Sequence, residues 1–150
     1  MSNRETGAGG AFLHRFTVPA DAIDENGHVN NVVYIQWMQD AAIRHAAASG
    51  GAAAMRAAGC TWLARSHKIE YLSPAYPGDC IEASTWVEYF RGVRSLRQYR
   101  FVRTSDSRLL ARGETMWVSV SASTGRPHAI PGSVIACFMT PPNRECPESK

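Results

Sequence analysis

The sequence predicts an α+β domain in which one antiparallel sheet of about five strands covers one long helix. Three observations carry this. Only one long segment, 32–48, has helical periodicity, and it is rich in Ala and large apolar residues. Four later segments, 62–72, 80–90, 93–104 and 109–121, alternate with period two, and a shorter one, 12–18, precedes the helix. The chain has 150 residues and 45% hydrophobic composition, which suits one domain around one core. A sheet with one apolar face has to bury it, and the single long helix is the available cover. A sheet curled round that helix follows; an open α+β sandwich has the same periodicity.

Taken in order, residues 1–10 are polar and Gly-rich and read as a tail without the apolar stretch of a signal peptide. In 12–18, Phe12, His14, Phe16 and Val18 alternate with Leu13, Arg15 and Thr17 until Pro19 stops the strand. A polar loop runs to Asn31. In the helix, Tyr34, Trp37, Met38, Ala41, Ala42, His45 and Ala48 share one face, and Val33, Ile35 and Ile43 widen it. Burial along most of its length is the expectation, with His45 read as a core or interface residue. Ser49-Gly50-Gly51 ends the helix, and 52–58 forms a short helical piece closed by Gly59. The four long strands follow, separated by Ser73-Pro74 with Pro77-Gly78-Asp79, by Arg91-Gly92 and by Asp106-Ser107; read as successive antiparallel connections they make a meander. Residues 131–138 form a last helical turn, and 141–150 is a second polar tail, leaving 11–140 as the folded domain.

The bulk numbers narrow the chemistry. A net charge of +3 from dispersed arginines does not indicate nucleic-acid binding. Cys60, Cys80, Cys137 and Cys146 lack C-x-x-C spacing, which fits a reduced, cytoplasmic protein. The five histidines show no ligand spacing, so no metal site is expected. No apolar run reaches the length of a membrane span.

The most informative stretch is Asp24-Glu25-Asn26-Gly27-His28-Val29-Asn30-Asn31, directly before the helix. Asn is a favoured helix cap, and the unpaired N–H groups of a helix start form a ready site for a carbonyl or oxyanion. A carboxylate just upstream completes the pattern of acyl chemistry, a base or nucleophile facing preorganised donors.

The string D-E-N-G-H-V-N-N-V-V-Y, followed by K-I-E-Y-L-S-P-A-Y-P-G-D, resembles the hotdog-fold thioesterases over about residues 12–138. The similarity is to the 4-hydroxybenzoyl-CoA thioesterase family, with long-chain acyl-CoA and plant acyl-carrier-protein thioesterases beside it. The resemblance implies a hotdog fold and hydrolysis of an acyl thioester of coenzyme A or of a carrier protein, with no cofactor beyond the coenzyme A of the substrate. It implies Asp24 as catalytic aspartate, nucleophile or general base, and Asn31 as the residue whose backbone N–H meets the thioester carbonyl. Asp24, Asn26 and His28 match the D-x-N-x-H of the plant enzymes. Their following E-C pair is replaced here by Pro74 and Ala75, so no cysteine nucleophile is available and the mechanism rests on the loop carboxylate. Gly27, Asn30 and Tyr34 complete the substrate-binding stretch, and Arg91, Arg94 and Arg126 are candidate contacts for the phosphates of coenzyme A. Trp37, Met38 and Ala41 are core residues that also qualify as the lining of an acyl tunnel.

The family pairs its sheets edge to edge, so a homodimer or homotetramer is expected. Tyr71, Trp86, Phe90, Tyr99 and Trp117 on the strands cannot all turn into one small core, which agrees with an assembly. Two other roles fit the scaffold. Hotdog hydratases carry D-x-N-P-x-H, one residue longer than the single Gly27 between Asn26 and His28. A non-catalytic acyl-CoA-binding domain would not need Asp24.

Overall fold

In a computed structural model, the structure describes residues 10–139. The expected tails at 1–10 and 141–150, and Cys146, lie outside the described residues apart from Gly10. The elements are β1 (Phe12–Thr17), a 3-10 turn (Ala20–Ala22), α1 (Asn31–Ser49), α2 (Gly51–Ala57), β2 (Cys60–Tyr71), β3 (Cys80–Arg91), β4 (Arg94–Arg103), β5 (Arg108–Ser121) and α3 (Gly132–Met139).

The five strands form one antiparallel sheet in the order β1-β3-β4-β5-β2. Only β3-β4-β5 is a meander. The expectation that β2 pairs with β3 is corrected: β2 lies at the far edge against β5, and the eight residues from Leu72 to Asp79 cross the sheet. Pro74 and Pro77 in that connection cannot donate to a ladder, and the full width of the sheet is needed to surround the helix. The β3–β4 turn is also displaced by one residue. Its two loop residues are Gly92 and Val93, with Arg91 facing Arg94, and Gly92 takes φ 60°, as a two-residue hairpin with Gly first requires.

The sheet curls because its strands carry bulges. The register slips at Arg65 in β2, at Glu88 in β3, and at Leu110 in β5 opposite the Phe101–Val102 step. Each extra residue bends its strand and raises local twist. The Leu110 side chain is fully buried, while its carbonyl accepts N–H bonds from Leu72 and Ser73 at 2.8 and 3.1 Å.

Helix α1 lies in the curl. Tyr34, Met38, Ala41 and Ala42 pack with Ile81, Ala83, Tyr99, Phe101, Leu110 and Ala111 in the main core. Full burial of such side chains contributes about 1.5–3 kcal/mol each for the larger ones. Close approach is possible because Met38 sits over Gly113, where an added Cβ would come within 2.9 Å of the Lys68 carbonyl and 3.1 Å of the Met38 sulfur. A second cluster joins α2 and α3 to the sheet through Met55, Val87, Val134 and Phe138. Gly50, at φ 87°, caps the helix in the left-handed conformation.

Burial along most of α1 does not hold within one chain. One sheet covers one side, and Val32 and Ile43 remain 67% and 66% exposed. The strand aromatics also divide: Tyr99 is buried, Trp86, Phe90 and Trp117 are half-buried, and Tyr71 is exposed.

Candidate active site

The loop before α1 is a compact turn held by its own polar groups. The Asp24 N–H donates to the His28 carbonyl at 3.0 Å, the Gly27 N–H to the Asp24 carbonyl at 3.0 Å, and the Asn26 N–H to Asp24 Oδ1 at 2.8 Å. Gly27 takes φ 85°, which a side chain would oppose. Asp24 and His28 are half-buried, Asn26 and Gly27 exposed. The His28 ring meets Tyr76 edge-on at 6.4 Å. Two further bonds fix the loop to the body: the Val29 N–H to the Ala75 carbonyl and the Asn30 N–H to the Ala22 carbonyl, both 2.9 Å.

The loop delivers the chain into α1 with its first amides unequally satisfied. Asn30 is the cap: its Oδ1 accepts from Val32 N–H at 3.0 Å and its carbonyl from Val33 N–H at 3.0 Å. The Asn31 N–H has no acceptor among the described residues. The donor that the resemblance points to is therefore the first-turn amide left free by the cap. The Asn31 carbonyl accepts from Tyr71 Oη at 2.9 Å, so the end of β2 anchors the start of the helix. Below it, Tyr34 is buried against Trp37, Tyr71 and Phe101, and burial pushes its phenol pKa up to about 12.

Three supporting groups escaped the sequence reading. Tyr71 clamps the helix start, Ala75 offers its backbone carbonyl to the loop, and Arg103 holds the connection that carries Ala75. The Arg103 guanidinium donates to the Pro74 carbonyl at 3.1 Å, to Asp79 at 3.2 Å and to Asp106 at 3.0 Å. Asp106, then Asp79, holds its pKa above the ordinary arginine value. The two sequence blocks thus fold against each other. The only sequence signal for this was that both stood out together.

Arg91, Arg94 and Arg126 gather at the opposite end of the sheet. Arg91 stacks over the Tyr89 ring at 4.1 Å, Arg94 pairs with Val118, and the 126–130 segment returns beside the hairpin through the Ile130 N–H bond to the Gly92 carbonyl at 3.0 Å. Asp24 lies beyond the Tyr71 end of β2, whereas Arg94 is level, through Val118, with Leu63 near the start of that strand, so most of the length of β2 separates them.

Between the two core clusters lies a cavity of about 330 Å³. Its walls include Gln39, Ile43, Trp62, Arg97, Trp117 and Phe138. Ala42, rather than Trp37, Met38 or Ala41, is the core residue of α1 that reaches it. Gln39 is two turns along the helix from Asn31, about 12 Å by helical rise. Among the described residues, no group of three or more His, Cys, Asp or Glu is placed to hold a metal ion. No described helix is long and apolar enough to cross a membrane.

A family model of the thioesterase-like superfamily matches residues 18–138. The chain belongs to that superfamily. A comparison with curated protein sequences gives no match. Among solved structures, the chain is similar to the probable thioesterase YbaW from Escherichia coli, at 17% identity and TM-score 0.78 over 85% of this chain and 96% of that one. It is also similar to a 1,4-dihydroxy-2-naphthoyl-CoA thioesterase from Synechocystis, at 17% identity and TM-score 0.76 over 87% and 96% of the two chains. The dynemicin thioesterase aligns at 20% identity and TM-score 0.77 over 85% and 94%. The superfamily member described here has the hotdog fold of these proteins: a five-stranded antiparallel sheet curled round a central helix.

Proposed function

We propose that this superfamily member is an acyl-CoA thioesterase that cleaves an acyl or aroyl thioester to the free acid and coenzyme A. The observation that carries the reading is the free Asn31 N–H at the start of α1, on the same rigid loop as the Asp24 carboxylate. The amide would bind the thioester oxygen and stabilise the charge that develops there, a contribution of about 3 kcal/mol for one well-placed donor. The helix dipole adds to it. Among the described residues Asp24 Oδ2 has no hydrogen-bond partner, while Oδ1 is tied to the Asn26 amide, which orients the carboxylate. That oxygen serves as nucleophile, forming a mixed anhydride that water then opens, or as general base on water. His28 and Asn26 would position the water or the carboxylate. A carrier-protein thioester would be processed by the same groups.

The arginines at the far end join this site only in an assembly. Among the described residues edge strand β2 has one neighbour, β5, and it exposes Leu63 (53%), Tyr71 (40%) and, just beyond it, Leu72 (48%). An unpaired twelve-residue edge of this kind is a template for a second strand. Antiparallel pairing of two copies about the middle of β2 would set the Tyr71 end of one copy beside the Thr61 end of the other. Each Asp24 loop would then face the cavity and the Arg91, Arg94 and Arg126 cluster of its neighbour. The proposal is accordingly a cytoplasmic homodimer, or a tetramer built from it, with two composite sites.

Release of free thiol from a panel of acyl-CoAs tests the reading. Asp24→Asn is expected to lower turnover by at least about 100-fold, within the range for loss of a positioned base or nucleophile, with an unchanged circular-dichroism spectrum. Near-normal turnover by this variant would remove Asp24 from the mechanism. Crotonyl-CoA hydration, or acyl-CoA binding without thiol release, would replace hydrolysis by the hydratase or the binding role.

A further inference from the structure

The cavity wall contains a charge that the thioesterase reading does not use. Arg97 on β4 is 4% exposed, yet no carboxylate among the described residues pairs with it. Its Nη1 donates to His45 Nδ1 at 2.9 Å and to Thr85 Oγ1 at 3.1 Å. The His45 nitrogen can accept only if the ring is neutral, so α1 supplies no countercharge. The other elements around the guanidinium offer Thr85 from β3, Ser95 and Tyr99 from β4, Trp117 from β5, and Phe138 from α3, whose ring lies 5.4 Å from it. None is acidic. A buried, unpaired cation is strongly unfavourable, and an apolar residue there would avoid that cost. Nε and Nη2 have no hydrogen-bond partner among the described residues, and Arg97 lines a cavity that is otherwise largely apolar.

We infer that the cavity receives the far end of the acyl group and that Arg97 binds a carboxylate carried there, so the substrates are monothioesters of dicarboxylic acids. This deepens the proposed function and rests on it. A guanidinium presents two parallel N–H donors to a carboxylate, and inside a cavity such a charge-assisted pair is stronger than at a surface. The volume of about 330 Å³ is at the small end of ligand pockets and suits a short chain or one ring. Neutral His45 and Thr85 fix the guanidinium through Nη1 and leave its other edge for the ligand.

The test compares adipoyl-CoA with hexanoyl-CoA, which differ only at the distal carbon. The wild-type protein is expected to favour adipoyl-CoA by at least tenfold in kcat/KM. Arg97→Met should erase that preference by lowering turnover of adipoyl-CoA alone, and Arg97→Lys should retain part of it. Equal or faster hydrolysis of hexanoyl-CoA by the wild type overturns the inference without need of any variant. A binding measurement separates this from failure of the thioesterase reading. Monomethyl adipate should quench Trp62 and Trp117 fluorescence saturably, dimethyl adipate should not, and Arg97→Met should abolish the difference. Quenching by the monoester without hydrolysis of any thioester would leave the anion site standing and remove the catalytic reading. Turnover of both thioesters without preference, or equal quenching by both esters, would do the reverse.

Discussion

His45 shows how one buried residue sets a property of the whole chain. It is 3% exposed, stacks on Phe12 at 5.2 Å, and accepts a bond from a cation. Desolvation first, and the Arg97 charge second, push its pKa down to about 3. Above pH 6.5 neither the folded nor the unfolded chain protonates this ring. Between 6.5 and about 3 the unfolded chain binds a proton that the folded chain refuses, so stability falls as pH falls through that window. His45→Gln keeps an acceptor for Arg97 and removes the titration. Its urea midpoint is expected to drop less than that of the wild type between pH 7.5 and pH 5; parallel drops would contradict the assignment. Asp24 is the proposed catalytic counterpart at this scale, and Asp24→Asn is expected to act on turnover and not on folding.

At the scale of elements, the contact of α1 with the sheet depends on a missing side chain. Gly113 on β5 lies under Met38, with the Lys68 carbonyl on the other side. Gly113→Ala must displace a fully buried methionine or a strand backbone, and overpacking of this sort costs about 1–3 kcal/mol. A lowered thermal midpoint is the expected result, and Met38→Leu combined with it tests whether the sulfur is the colliding group. The helix start is the other sensitive junction. Tyr71→Phe removes the bond to the Asn31 carbonyl while keeping the ring against Tyr34. Turnover is expected to fall by several-fold to tenfold, consistent with about 1 kcal/mol for one hydrogen bond, with little change in thermal midpoint. An unaltered rate would show that the helix start is fixed without this clamp.

For the whole molecule, the decisive feature is the β2 edge. Leu63 on that edge is exposed, and a charge placed there opposes a second copy without touching the Asp24 loop. Leu63→Arg is expected to give a monomer in light scattering at micromolar concentration and to lose most acyl-CoA turnover. A monomeric variant with full activity would confine the site to one chain and disconnect Arg91, Arg94 and Arg126 from coenzyme A. If they do contact its phosphates, Arg91→Ala raises KM for acyl-CoA and leaves short thioesters without the nucleotide unaffected. Phosphate contacts also predict that added salt raises KM, since exposed ion pairs are screened.

Much of this was legible in the chain itself. Periodicity placed one helix and five strands within a residue or two, because an amphipathic element displays its buried face in its own spacing. The polar string before α1 located the loop and offered Asn as its cap, since capping is local and depends on neighbours in sequence, while Asn31 as the amide donor came from the family resemblance. Tertiary structure decided what local spacing cannot encode. It moved β2 to the far edge, exposed one side of the helix, brought Ala75 and Arg103 beneath the Asp24 loop, and left Arg97 without an acid in a cavity. Those facts arise from residues tens of positions apart meeting across the sheet, and a charge reveals itself as unpaired only when every neighbour is in place.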